Sequence, residues 1–176
     1  MFNIIQKIGR GSSGNVYKAL NKEDNHIYAI KQSLSKENDD LIKNEINVYK
    51  AINNKCDNIC KFFDFFQAKN EYGTDCLGIE LEYCEYGSIR EIIKKGKKMN
   101  IIINEIELSC IIYYVLKGIK FLHDLNFIIR DIKGKNILVS RDGGIKLCDF
   151  GICRNYEELK IKDSRGGSPY WMAPEI

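Results

Sequence analysis

A chain of 176 residues has room for one ordinary domain, or for a small lobe and part of a second. Hydrophobic residues at 44% and charged residues at 29% carry no compositional sign of disorder. A formal charge of +3, from 27 basic and 24 acidic side chains, is too small to imply a nucleic-acid partner. The seven cysteines are odd in number and scattered, with no C-x-x-C pair. Neither a histidine nor a further cysteine stands at zinc-finger spacing from Cys56 and Cys60, so they read as reduced thiols, mostly small buried hydrophobes. The start lacks a signal-peptide core, since Lys7 and Arg10 interrupt it. No apolar run approaches the roughly 20 residues that span a bilayer. A soluble, cytoplasmic protein with no membrane and no nucleic-acid partner is expected.

In chain order, residues 3–9 and 15–20 read as strands around a glycine-rich turn, and 26–32 as a third strand after the polar turn 21–25. A helix is expected from about 38 to 52, with Ile42, Ile46 and Tyr49 on one face. Phe62, Phe63, Phe65 and Phe66 suggest a core strand, and residues 76–83 another. After the Glu85-Tyr86-Gly87-Ser88 turn the character becomes helical. Residues 89–95 form a short helix, and the run Lys94-Lys95-Gly96-Lys97-Lys98 reads as a solvated connection after it. A long helix begins at Asn104 with Glu107 as its capping-box partner, burying Leu108, Ile112, Val115, Leu116, Ile119 and Leu122. From Phe127 onward short strands alternate with loops rich in Asp, Lys and Gly. Strands first and helices second predict an α+β protein in two lobes, 1–83 and 84–176, with a hinge near 82–85.

Five motifs carry chemistry. In Gly9-Arg10-Gly11-Ser12-Ser13-Gly14-Asn15-Val16 the glycines let backbone N–H groups approach phosphate oxygens. No Gly-Lys-Ser/Thr closes the loop, which excludes a Walker A motif. A strand rather than a helix follows it, which argues against a dinucleotide fingerprint. Lys31 closes the apolar strand Ala29-Ile30-Lys31, and Glu45 falls on the inner face of the next helix. An acid among core residues calls for a cation, and the pair would hold Lys31 toward the α- and β-phosphates of ATP. In Arg130-Asp131-Ile132-Lys133-Gly134-Lys135-Asn136 the aspartate can accept a hydroxyl proton. Lys133 can neutralise phosphate charge, and Asn136 can ligate Mg²⁺. Asp149-Phe150-Gly151 offers a second Mg²⁺ ligand in Asp149. Finally, Gly167-Ser168-Pro169-Tyr170-Trp171-Met172-Ala173-Pro174-Glu175 suits a platform for a substrate segment.

These motifs, in this order over essentially the whole chain, resemble the eukaryotic protein kinase superfamily. The catalytic-loop and last segments look like the STE group, which includes germinal-centre (Hippo-type) kinases and MAP kinase kinase kinases. The resemblance implies a bilobal kinase fold, Mg·ATP as cofactor, and serine/threonine specificity through Lys133. It places Ile8, Gly9, Gly11, Gly14, Val16, Ala29, Lys31 and Leu138 around ATP, with the adenine hinge at Glu82 and Cys84 behind Leu81. It makes Ser164 the activating phosphosite for an upstream kinase, facing Arg130, and Ser168 a substrate-positioning residue beside Asp131 and Lys133. A protein bearing serine or threonine would be the substrate.

Three departures stand out. Ile129 replaces the usual histidine before Arg-Asp, Ser13 occupies a loop tip that is often aromatic, and the chain stops at Ile176, just after the A-P-E motif. A truncated kinase or a non-catalytic nucleotide-binding scaffold is the alternative expectation.

Overall fold

Alternation of apolar and polar side chains between tight polar turns pairs the first strands antiparallel. They are β1 (Phe2–Arg10), β2 (Asn15–Asn21) and β3 (Ile27–Gln32). Arg10 faces Asn15 across the glycine-rich hairpin, and Leu20 faces Ile27 across the next. The computed structural model describes residues 2–11, 13–36, 39–157 and 166–172. With β4 (Phe62–Lys69) and β5 (Asp75–Glu82) these strands make a five-stranded sheet in the order β1-β2-β3-β5-β4.

Gly14 is required where β2 leaves the glycine loop. A Cβ there would stand 2.1 Å from the Gln32 carbonyl oxygen. Gly14→Ala must therefore push β2 from β3, costing about 1–3 kcal/mol of stability. Thermal unfolding checks this, and an unchanged midpoint removes the account.

Helix α1 (Asp39–Ile52) opens with two aspartates, which favour a helix N-terminus. Asp39 also ties the helix down. It accepts from Ser33 Oγ at 2.5 Å and from the Leu77 N–H at 3.2 Å, so the helix start is held to β3 and β5. Its buried face is Ile42, Glu45, Ile46, Val48, Tyr49 and Ile52. The aromatic run expected in the core lies instead on β4, at the sheet edge, and Phe63 and Phe65 are exposed. An edge strand is flanked on one side only, so its rings pack individually. Phe62 stacks on Tyr49 at 5.5 Å and Phe66 on Phe2 at 5.7 Å.

Helix α2 (Ile89–Lys98) follows the two-residue strand β6 (Gly87–Ser88), and Ser88 and Glu91 form a capping box. It runs three residues past the expected end, so the lysine run forms its last turns. Cations are favoured there by the helix dipole, and Asn100, at φ 54, turns the chain out. Helix α3 (Glu105–Asp124) begins at the expected Asn104–Glu107 box, with 2.9 Å bonds in both directions. Its buried stripe is narrower than expected. Val115, Gly118 and Leu122 are buried, whereas Leu108, Ile112 and Leu116 are exposed among the described residues. The covered line is the one that packs on β7 (Phe127–Ile128) and β9 (Ile145–Leu147). Strand β8 (Ile137–Val139) joins β6 and β9 in a three-stranded sheet, and β10 (Arg154–Asn155) pairs with β7. Asn53 and Asn126, at φ 49 and 61, follow α1 and α3 in the left-handed conformation that asparagine tolerates.

The α+β chain divides into two units, Met1–Asn53 with Lys61–Tyr83, and Asn54–Cys60 with Cys84–Ile176. Segment 54–60 packs within the second unit. The Asn58 amide donates to the Ile145 carbonyl at 3.1 Å, and Ile59 bridges Leu147. No helix among the described residues is long and apolar enough to cross a membrane.

Candidate active site

In the first unit, strand alternation sets Ala29 and Lys31 on one face of β3, with Lys31 opposite Val16 and Ile79. Helix α1 turns Glu45 to the same interior as Ile42, Ile46 and Tyr49. Lys31 Nζ donates to Glu45 Oε2 at 2.6 Å, with the two side chains 6% and 0% exposed. Desolvating two ions costs several kcal/mol each, so such a pair holds a geometry rather than adding stability. Gly9, Gly11 and Gly14 belong to the adjoining hairpin, where the Gly11 N–H donates to the Gly14 carbonyl at 2.8 Å. Ser13 is buried and Ile8 exposed, and Val16 is half-buried. Glu82 ends β5 and is tied to Lys61 in both directions. Its N–H donates to the Lys61 carbonyl at 2.9 Å, and its carboxylate accepts from the Lys61 N–H at 3.0 Å.

In the second unit, Asp131, Lys133, Asn136 and Ser168 form one cluster. Lys133 Nζ donates to Asp131 Oδ2 at 2.5 Å and to Ser168 Oγ at 2.7 Å. Asn136 Nδ2 donates to Asp131 Oδ2 at 3.1 Å and to the Asp131 carbonyl at 3.0 Å. Asp131 Oδ1 is buried and has no hydrogen-bond partner among the described residues. A buried carboxylate oxygen is strongly disfavoured without a donor, so the arrangement keeps one acceptor ready for an incoming hydrogen. The Cys148 N–H donates to the Asn136 carbonyl at 3.0 Å, which brings the residue after it, Asp149, beside this loop. Asp149 itself has φ 67, left-handed backbone that is uncommon outside glycine. Backbone strain of this kind collects where a side chain must be aimed. Leu138 is half-buried on β8, and Cys84 is buried, its carbonyl accepting from the Gly87 N–H at 3.1 Å.

Arg154 did not emerge from the sequence. It lies near enough to Arg130 that its charge, after burial, lowers the Arg130 pKa. Two like charges held together mark a place suited to an anion. Arg130 Nε is oriented by the Ile152 carbonyl at 2.9 Å. Gly166 and Gly167 run against Arg130: a Cβ on Gly167, at φ 131, would fall 2.5 Å from the Arg130 carbonyl oxygen. Burial pushes the Cys153 thiol up to about 12, against the lowering effect of both arginines. The expected phosphosite Ser164 and the A-P-E residues Ala173, Pro174 and Glu175 lie outside the described residues.

The family Protein kinase domain matches residues 2–176. Serine/threonine-protein kinase cst-1 of Caenorhabditis elegans is 36% identical over 178 aligned residues, covering 100% of this chain and 34% of that protein. Serine/threonine-protein kinase pakH of Dictyostelium discoideum is 37% identical, covering 99% and 33%. Serine/threonine-protein kinase STE20 of Kluyveromyces lactis is 38% identical, covering 100% and 17%. The chain thus spans about a third or less of the length of these relatives. With the same family matched from end to end and Asp131, Lys133 and Asn136 gathered in one cluster, this chain belongs to the protein kinase domain family.

Proposed function

We propose that this protein is a serine/threonine protein kinase that moves the γ-phosphoryl group of ATP to a protein hydroxyl. The observation that carries the reading is the unpartnered Oδ1 of Asp131, beside an Oδ2 held by Lys133 and Asn136. The substrate hydroxyl oxygen forms a bond to the γ-phosphorus as the bond to the bridging oxygen of ADP breaks. The hydroxyl proton passes to Asp131 Oδ1. Lys133, donating to both Asp131 and Ser168, offsets the negative charge at this point and positions the acceptor segment. In the first unit, the glycine-loop N–H groups and Lys31, braced by Glu45, would hold the phosphates.

Mg²⁺ fits the residues present. Asn136 spends its Nδ2 on Asp131, which leaves its amide oxygen as the ligand, and Asp149 supplies a carboxylate, both hard donors suited to this cation. When bound, Mg²⁺ neutralises phosphate charge and orients the transferred group. The proposed adenine contacts are Ile8, Val16, Ala29 and Glu82 in the first unit, and Cys84 and Leu138 in the second. The complete set of Lys31, Glu45, Asp131, Lys133, Asn136 and Asp149 does not favour a purely scaffolding role. The seven free thiols support a cytoplasmic location.

Transfer of radiolabel from γ-labelled ATP to a general protein acceptor tests the reading. The wild-type protein labels serine or threonine, and Asp149→Asn abolishes the signal through the lost cation ligand. Transfer by Asp149→Asn within tenfold of wild type sinks the assignment.

Ser164, two positions before Gly166 in the sequence, is the proposed activating site for an upstream kinase. A phosphate adds about −1.5 to −2 charges, and the adjacent Arg130 and Arg154 form a receptive pair. Ser164→Ala should lower activity by at least tenfold, and mass spectrometry of the active protein should find Ser164 phosphorylated. Full activity in Ser164→Ala removes the assignment.

A further inference from the structure

We infer that the turn between β4 and β5 is a latch on the glycine-rich loop, with Glu71 as its positioning residue and nucleotide retention as the property it sets. The inference rests on the kinase reading above.

The turn is built to present Glu71. Asn70 Oδ1 accepts from the Tyr72 and Thr74 N–H groups at 2.9 and 3.0 Å, which winds residues 70–74 into a closed turn. Asn70 Nδ2 donates to the Leu34 carbonyl at 2.8 Å, pinning that turn just beyond the end of β3. From this fixed base the Glu71 carboxylate takes donors from both sides of the glycine hairpin. Lys7 Nζ on β1 lies 3.3 Å from Oε1, and Asn15 Nδ2 at the start of β2 also lies 3.3 Å from Oε1.

Asn15 is the sensitive partner. It follows Gly14 directly and is only 4% exposed, and its Oδ1 is buried without a hydrogen bond among the described residues. The bond to Glu71 therefore satisfies the only paired end of a buried amide. Strand alternation places Asn15 on the opposite face of β2 from Val16, so the latch grips from the side away from the residue expected against ATP.

The link is also easily opened. Lys7 and Glu71 side chains are 37% and 40% exposed, and ion pairs of that kind are worth little and weaken with salt. A hold that is released and remade suits a loop that must lift to let nucleotide leave. It acts on binding and not on the transferring groups, so its loss should raise KM for ATP and leave kcat in place.

The test measures Mg·ATP affinity, steady-state kinetics and thermal midpoint for wild type, Glu71→Gln and Lys7→Met. Glu71→Gln is expected to weaken nucleotide binding about three- to tenfold with kcat and midpoint nearly unchanged. Lys7→Met should produce a smaller loss that is not additive with Glu71→Gln. The charge-swapped pair Lys7→Glu with Glu71→Lys should recover affinity, because the Asn15 amide can rotate to offer its oxygen. Unchanged affinity in both single variants overturns the latch while the kinase reading stands. Affinity and midpoint falling together in both variants overturns it in favour of a merely structural contact. Wild-type protein that binds no Mg·ATP overturns the kinase reading and the latch with it.

Discussion

Asp131→Asn is expected to lower phosphoryl transfer by about 10²–10⁴-fold, the range that general base catalysis supplies. Mg·ATP affinity should change little, because an asparagine side chain can keep the bonds to Lys133 and Asn136. The substitution is nearly isosteric, so the cluster can keep its shape while the acceptor for the hydroxyl proton disappears. The buried Oδ1 is where the difference falls, since an amide there cannot take up a proton in the transition state. Initial rates from labelled ATP, set beside a separate nucleotide-binding measurement, separate the two effects. A rate within tenfold of wild type would mean that another group, or water, receives the proton.

The second large effect is on stability. Glu45→Ala should destabilise the first unit by about 3–5 kcal/mol, because it takes the Glu45 carboxylate away from the buried Lys31 ammonium. For a chain of this size that is a fall in thermal midpoint on the order of 10 °C. The double variant Lys31→Met with Glu45→Leu removes both ions and fills the space with apolar side chains, so it should recover much of the lost stability. It should remain inactive, since the group that positions phosphate is gone. Recovery of the fold without recovery of activity is the signature of a pair kept for geometry. A Glu45→Ala protein as stable as wild type would show that Lys31 reaches water or another acid when Glu45 is absent.

Local pattern was enough to place most elements. The Asn104–Glu107 box, the strands on either side of the glycine loop and the inward face of α1 all follow from interactions between residues a few positions apart. Glu45 was legible for the same reason. Helical spacing set it among Ile42, Ile46 and Tyr49, and a buried acid demands a cation that the preceding strand could supply. The last turns of α2 were misread because a lysine run looks like a solvated loop, while helix-dipole and capping terms favour lysines there equally well.

By itself, then, the sequence determined the chemical inventory: an acid, a lysine and an amide at fixed intervals in one loop, a second acid before Phe150-Gly151, and a lysine paired to a helix acid. Burial was beyond it wherever burial depends on a neighbour. The four phenylalanines of β4 and the apolar residues of α3 have the pattern of a core, yet Phe63, Phe65, Leu108, Ile112 and Leu116 are exposed. Periodicity says which side chains share a face and is silent on what covers that face. The meeting of Ser168 with Lys133 and Asp131 was expected from the family resemblance, whereas tertiary structure alone decided that one Asp131 oxygen would be held while the other stayed open among the described residues. It also set Arg154 against Arg130 and Glu71 over Asn15. The arginine pair and the Glu71–Asn15 bond join residues tens of positions apart, through the packing of rigid elements, and no local spacing rule encodes them.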